Sequence, residues 1–68
     1  MEEFKIKGEF ITLHQLLKAA TVVESGGIAK AIIQNGEVLV NNSAETQRGK
    51  KLRPGDVVQW EDRQILVS

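Results

Sequence analysis

Ser25-Gly26-Gly27-Ile28-Ala29-Lys30-Ala31-Ile32-Ile33-Gln34-Asn35-Gly36-Glu37-Val38-Leu39-Val40-Asn41-Asn42 contains a whole helix, both of its ends and the first strand of a hairpin. Ser25 can cap the helix by accepting a backbone N–H through its hydroxyl. Ile28, Ala29, Ile32 and Ile33 recur on one helical face, and Lys30 and Gln34 lie one turn apart on another. Asn35-Gly36 closes the helix, since glycine enters the left-handed region without a Cβ penalty. Glu37 to Asn41 then alternates as a strand does, and Asn41-Asn42-Ser43 supplies residues that tolerate positive φ in a tight turn.

Working outward, Arg53-Pro54-Gly55-Asp56 has proline and glycine at the centre of a type II turn. It leads into the strand Val57-Val58-Gln59-Trp60, and Glu61-Asp62-Arg63 turns the chain back into Gln64-Ile65-Leu66-Val67. Upstream, Thr12 and Gln15 have the spacing of a capping box, followed by Leu13, Leu16, Leu17 and Ala20 at helical spacing. Helix one is predicted over 13–20. Phe4-Lys5-Ile6-Lys7 alternates as a short edge strand before Gly8 interrupts it. The order strand, helix, helix and then several short strands predicts an α+β domain over 1–68, with two helices packed on a small, mostly antiparallel sheet. Trp60 is expected to anchor that sheet against the helices.

The 68 residues, 41% of them apolar, suffice for one modest core and leave little room for a large buried cleft. No cysteine is present, which removes disulfides, thiolate zinc sites and a thiol nucleophile. No apolar run approaches the roughly 18 residues of a membrane helix, and Met1-Glu2-Glu3-Phe4 is acidic where a signal peptide is basic. A cytoplasmic protein with no membrane partner is expected. The single histidine, His14, falls in the first turn of helix one on the face opposite Leu16 and is expected to face solvent or make a local contact. With no orienting partner for it, and no Gly-x-Ser-x-Gly or phosphate-binding glycine motif, neither a catalytic site, a metal site nor a cofactor is expected.

Nine basic and nine acidic residues cancel, yet they are unevenly placed. Between Glu45 and Asp56 lie Arg48, Lys50, Lys51 and Arg53 with no acid among them. Two interpretations fit: a solvated loop that keeps the edge charged, or an electrostatic footprint for phosphates. Ser25-Gly26-Gly27 has a similar ambiguity. It is either a permissive interhelical turn or a helix start whose free amides admit a phosphate, with Lys30 one turn further in. In so small a fold the two segments can share a face. Phe4, Phe10 and Trp60 are the only aromatics and none lies in the basic segment, so base stacking is not expected to be the main mode. Folded RNA gripped by phosphate, 2′-hydroxyl and shape fits better, although charge alone does not separate RNA from DNA.

Ser25, Ala29, Lys30, Ile33 and Gly36, the strand Val38-Leu39-Val40-Asn41 and the turn Pro54-Gly55-Asp56 together resemble the S-four domain, named for ribosomal small-subunit protein four. Leu13, Leu16 and Leu17 fall where that family places the core of its first helix, so the resemblance spans Ile11 to Val58. It implies the two-helix, small-sheet fold called the alpha-L motif. It also implies a non-enzymatic role in binding structured RNA, ribosomal RNA or tRNA, at the ribosome or another ribonucleoprotein. The chain is most similar in kind to short stand-alone bacterial members, expected as monomers. By resemblance the RNA surface comprises Ser25, Gly26, Gly27 and Lys30 with Arg48, Lys50, Lys51 and Arg53. Two positions depart from the pattern: Gly26 stands where many members carry a cation, and Asn42 where the usual residue is glycine. Losing the cation shifts the expected weight of binding to the basic loop. The alternative is a protein adaptor that docks on an acidic protein or a ribonucleoprotein.

Overall fold

Local chemistry sets both helices in the computed structural model, which describes residues 1–68. Thr12 accepts the N–H of Gln15 through its hydroxyl, and the Gln15 side chain accepts the N–H of Thr12, closing the capping box of α1 (Leu13–Ala19). Ser25 accepts the Ile28 N–H and starts α2 (Gly26–Gln34), which ends at Asn35 and at Gly36 with φ +74°. The helix ends predicted from sequence therefore hold to within a residue.

The strands are β1 (Glu2–Phe4), β2 (Ile11–Thr12), β3 (Leu39–Val40), β4 (Ser43–Ala44), β5 (Lys51–Leu52), β6 (Val57–Trp60) and β7 (Arg63–Val67). Five form one sheet in the order β1-β7-β6-β3-β4, while β2 and β5 pair separately. Pairing is antiparallel except between β1 and β7, which run parallel with Glu2 opposite Ile65 and Phe4 opposite Val67. The edge strand expected at 4–7 thus sits earlier, and the strand expected at 37–41 shortens to Leu39–Val40. Asn41 and Asn42, at φ +51° and +69°, make the tight hairpin between β3 and β4.

Leu13, Leu16 and Leu17 from α1 meet Ala29, Ile32 and Ile33 from α2 over Val40, Val58, Ile65 and Val67 of the sheet, within one cluster of 13 buried residues. Two residues lie at the margin of this core. Ile28, which periodicity groups on one face with Ala29, Ile32 and Ile33, is 44% exposed, because a side chain in the first turn leans towards the helix start and past the packed region. Trp60 only half-enters the core, packing on its margin while its indole N–H donates to Glu37 at 3.4 Å.

Arg63 explains how the ends of the fold are joined. Its guanidinium grips the Glu2 carboxylate with two nitrogens and also donates to the carbonyls of Thr21 at 3.0 Å and Ala20 at 3.2 Å. One planar fork therefore ties β1 and β7 to the turn after α1, where Thr21 holds a positive φ of 54°.

Candidate nucleic-acid interface

The basic segment is docked on the start of α1 by its backbone. The first amides of a helix have no partner within it, and here the Arg48 carbonyl takes the His14 N–H at 3.1 Å while the Lys50 carbonyl takes that of Leu13 at 2.8 Å. With Leu52 buried beneath, the charged side chains are left on the outside: Arg48, Lys50, Lys51 and Arg53 are all exposed. The only ion pair in the molecule is Arg63 with Glu2, so none of these four cations, nor Lys30, is in a direct ion pair with a carboxylate. The segment is also not wholly a loop, since Lys51 and Leu52 pair with Thr12 and Ile11.

The start of α2 is different, because nothing in the protein caps it fully. Ser25 serves Ile28, and the Ser25 carbonyl serves Ala29, but the amides of Gly26 and Gly27 have no protein acceptor. Lys30 lies one turn along, exposed, and makes no hydrogen bond or ion pair with the basic segment.

His14 links the two regions, and sequence reasoning gave it no such role. A Cβ placed on Gly26 would lie 3.3 Å from His14 Nε2 and 3.5 Å from its Cε1, so the imidazole rests against the first residue of α2. The backbone N–H of His14 donates to the Arg48 carbonyl. The helix start and the basic segment therefore both border His14, the first against its ring and the second at its backbone N–H. Phe10 joins them unexpectedly: Lys51 Nζ is 4.9 Å and Arg53 Cζ 5.9 Å from its ring centroid.

Asp56 fixes the far end of the segment. One carboxylate oxygen accepts the Arg53 N–H at 2.8 Å and the other accepts the Asn41 side-chain amide at 3.0 Å, while Asn41 Oδ1 accepts the Val57 N–H. The turn itself closes by the Asp56 N–H donating to the Arg53 carbonyl, with Gly55 at φ +103°. The Arg53 N–H above all, then Asn41, holds the Asp56 carboxyl below the ordinary range against the opposing effect of burial; the charges of Lys50 and Arg53 add to this. A folded value below the unfolded one, about 3.9, means the stabilisation is complete above about pH 4 and disappears as pH falls through the folded value. Asp56→Asn is expected to cost about 1 kcal/mol at neutral pH, the bonds being partly open to water. Urea melts at about pH 7 and pH 3 check this, and the gap from the parent protein should narrow at the lower pH. A gap that stays constant would contradict the clasp. Glu2, also lowered by its bond to Arg63, is common to both proteins and cancels.

Charge is segregated along the sheet. β6 starts beside Asp56 and ends at Trp60, so the acidic turn Glu61-Asp62 lies at the opposite end of the strands from Arg53. A shallow depression there is lined by Glu2, Glu61, Asp62 and the already paired Arg63. The Glu61-Asp62 turn and the Arg48–Arg53 cations thus lie towards opposite ends of β6.

Comparison with known proteins fits this geometry. The family described as the S4 domain matches residues 4–68. This chain belongs to the S4 domain family. It is also 52% identical over 56 residues to "Probable ribosome maturation protein RlbA" of Bacillus subtilis (strain 168), an alignment covering 82% of this chain and 79% of that protein. The resemblance carried by Ser25, Ala29, Lys30, Ile33, Gly36 and the Pro54-Gly55-Asp56 turn is therefore sound, as is the α+β fold it implies.

The two departures of this S4 domain acquire physical reasons. Gly26 leaves room for the His14 ring, which a Cβ there would press to give by a few tenths of an ångström. Asn42 keeps the positive φ that glycine would adopt, at +69°, because Asn is among the residues that enter the left-handed region most readily.

Proposed function

We propose that this S4 domain is a non-enzymatic module that grips the phosphate backbone of folded RNA. The α2 start contributes the amides of Gly26 and Gly27, with Lys30 behind them. The segment from Arg48 to Arg53 contributes four unpaired cations. The observation that carries this is the docking of the Arg48 and Lys50 carbonyls on α1, which leaves their side chains exposed, together with a helix start whose Gly26 and Gly27 amides are free. A helix N-terminus and adjacent cations are both suited to phosphate, the first through N–H dipoles and the second through charge. Ribosomal RNA is favoured over tRNA because the Bacillus relative is described as a ribosome maturation protein. Such a module would work as a monomer in the cytoplasm, where ribosomes are assembled.

Titration of the protein with a folded ribosomal RNA fragment, duplex DNA and a polyanion across salt tests this. Engagement of about four to six phosphates predicts a log–log salt slope of roughly −3 to −5 and a preference for the RNA at every salt concentration. Equal binding to all three ligands, or to none, would instead favour a protein adaptor, for which the zero net charge is the supporting observation.

A further inference from the structure

We propose that Phe10, Lys51 and Arg53 form a stacking platform for an unpaired base of the bound RNA, a proposal that rests on the RNA-binding function above. Phe10 directly precedes β2, and β2 pairs antiparallel with β5 so that Ile11 faces Leu52 and Thr12 faces Lys51. Continuing that register by one step sets Phe10 opposite Arg53. Side chains alternate between the faces of a ladder, so Ile11 and Leu52 share the inner face while Phe10, Lys51 and Arg53 share the outer one. The burial agrees: Leu52 is fully buried and Phe10 is 41% exposed. The contacts agree too, with Lys51 Nζ at 4.9 Å and Arg53 Cζ at 5.9 Å from the ring centroid.

Phe4 and Trp60 pack against the core, which leaves Phe10 as the one aromatic held largely at the surface. Cations over the ring orient it, and they determine what can cover it. An apolar protein segment laid on the ring would strip water from two unpaired charges without compensating them. A nucleotide satisfies both parts, since its base has a π-face for the ring and its phosphate pairs with Lys51 or Arg53. Bases inside a duplex are already stacked on both faces. The platform therefore selects a bulged, looped or terminal nucleotide within a folded RNA.

The test compares two RNA hairpins of the same stem, one fully paired and one with a single-nucleotide bulge, binding to the parent protein and to Phe10→Leu, Phe10→Trp and the Lys50→Ala/Lys51→Ala double variant. Phe10→Leu should weaken binding to the bulged hairpin by roughly 5- to 160-fold, the range for losing one base–aromatic stack. Binding to the paired hairpin and the salt slope should be unchanged, because a ring releases no counterions. Phe10→Trp should retain the preference for the bulge, which separates stacking from a folding defect; thermal melts of each variant complete that control. Equal loss on both hairpins, or no loss on either, overturns the platform. If the double variant still loses affinity in that case, RNA binding stands without the platform. If the parent protein binds neither hairpin, both proposals fall.

Discussion

Alanine at both Lys50 and Lys51 is expected to lower affinity for folded RNA by about 15- to 30-fold at about 0.15 M salt and to flatten the salt slope by about 1.4 to 1.8. Each lysine is expected to release about 0.7 to 0.9 of a counterion, which at that salt is worth roughly four- to fivefold in affinity. The loss belongs to the side chains alone. What docks the segment on α1 is the carbonyl of Lys50, which alanine keeps, and both side chains are exposed without an ion pair. Melting of the double variant should therefore stay within about 0.5 kcal/mol of the parent. Unchanged RNA affinity in a folded double variant would remove the basic segment from the interface.

Leu52→Ala has the largest expected effect on stability, a loss of about 2–5 kcal/mol. Leu52 has no exposed surface and lies between two outward-facing cations, so it is the one apolar anchor within Lys51-Leu52-Arg53. Truncation leaves a cavity under the short β2–β5 pair and takes a large fraction of what so small a core can supply. In a domain of this size the melting temperature should fall by roughly 10 °C or more. Thermal and urea melts measure the loss, and a change under about 0.5 kcal/mol would mean that the strand is not held by its buried leucine.

Sequence predicts best where a few adjacent residues determine the conformation. Thr12 with Gln15, Ser25, Gly36, Asn41-Asn42 and Pro54-Gly55 each carry their own stereochemistry, and each appears in the fold as its residue type demands. Pairings across the chain were not legible. Glu2 and Arg63 are 61 positions apart, and nothing local signals that β1 will lie parallel to β7. Strands of two residues, such as Ile11–Thr12 and Lys51–Leu52, are too short for alternation to register.

The candidate interface divides along the same line. Its cations were legible as a run without acids, and the helix start as a serine followed by two glycines. His14 and Phe10 were not, because each acquires its place from a partner distant in sequence: His14 from Gly26 and Arg48, Phe10 from Lys51 and Arg53. Gly26 held an indirect signal, since a residue without a side chain leaves room for a neighbour.

The most direct test of a single phosphate-gripping face is a titration of the isotope-labelled protein with a folded ribosomal RNA fragment, following every backbone amide by NMR. Shifts should concentrate at Gly26, Gly27 and Arg48 to Arg53, with the amides of Glu61 to Gln64 at the acidic end unmoved. Shifts centred on Glu61 to Gln64, or spread evenly over the domain, would contradict it.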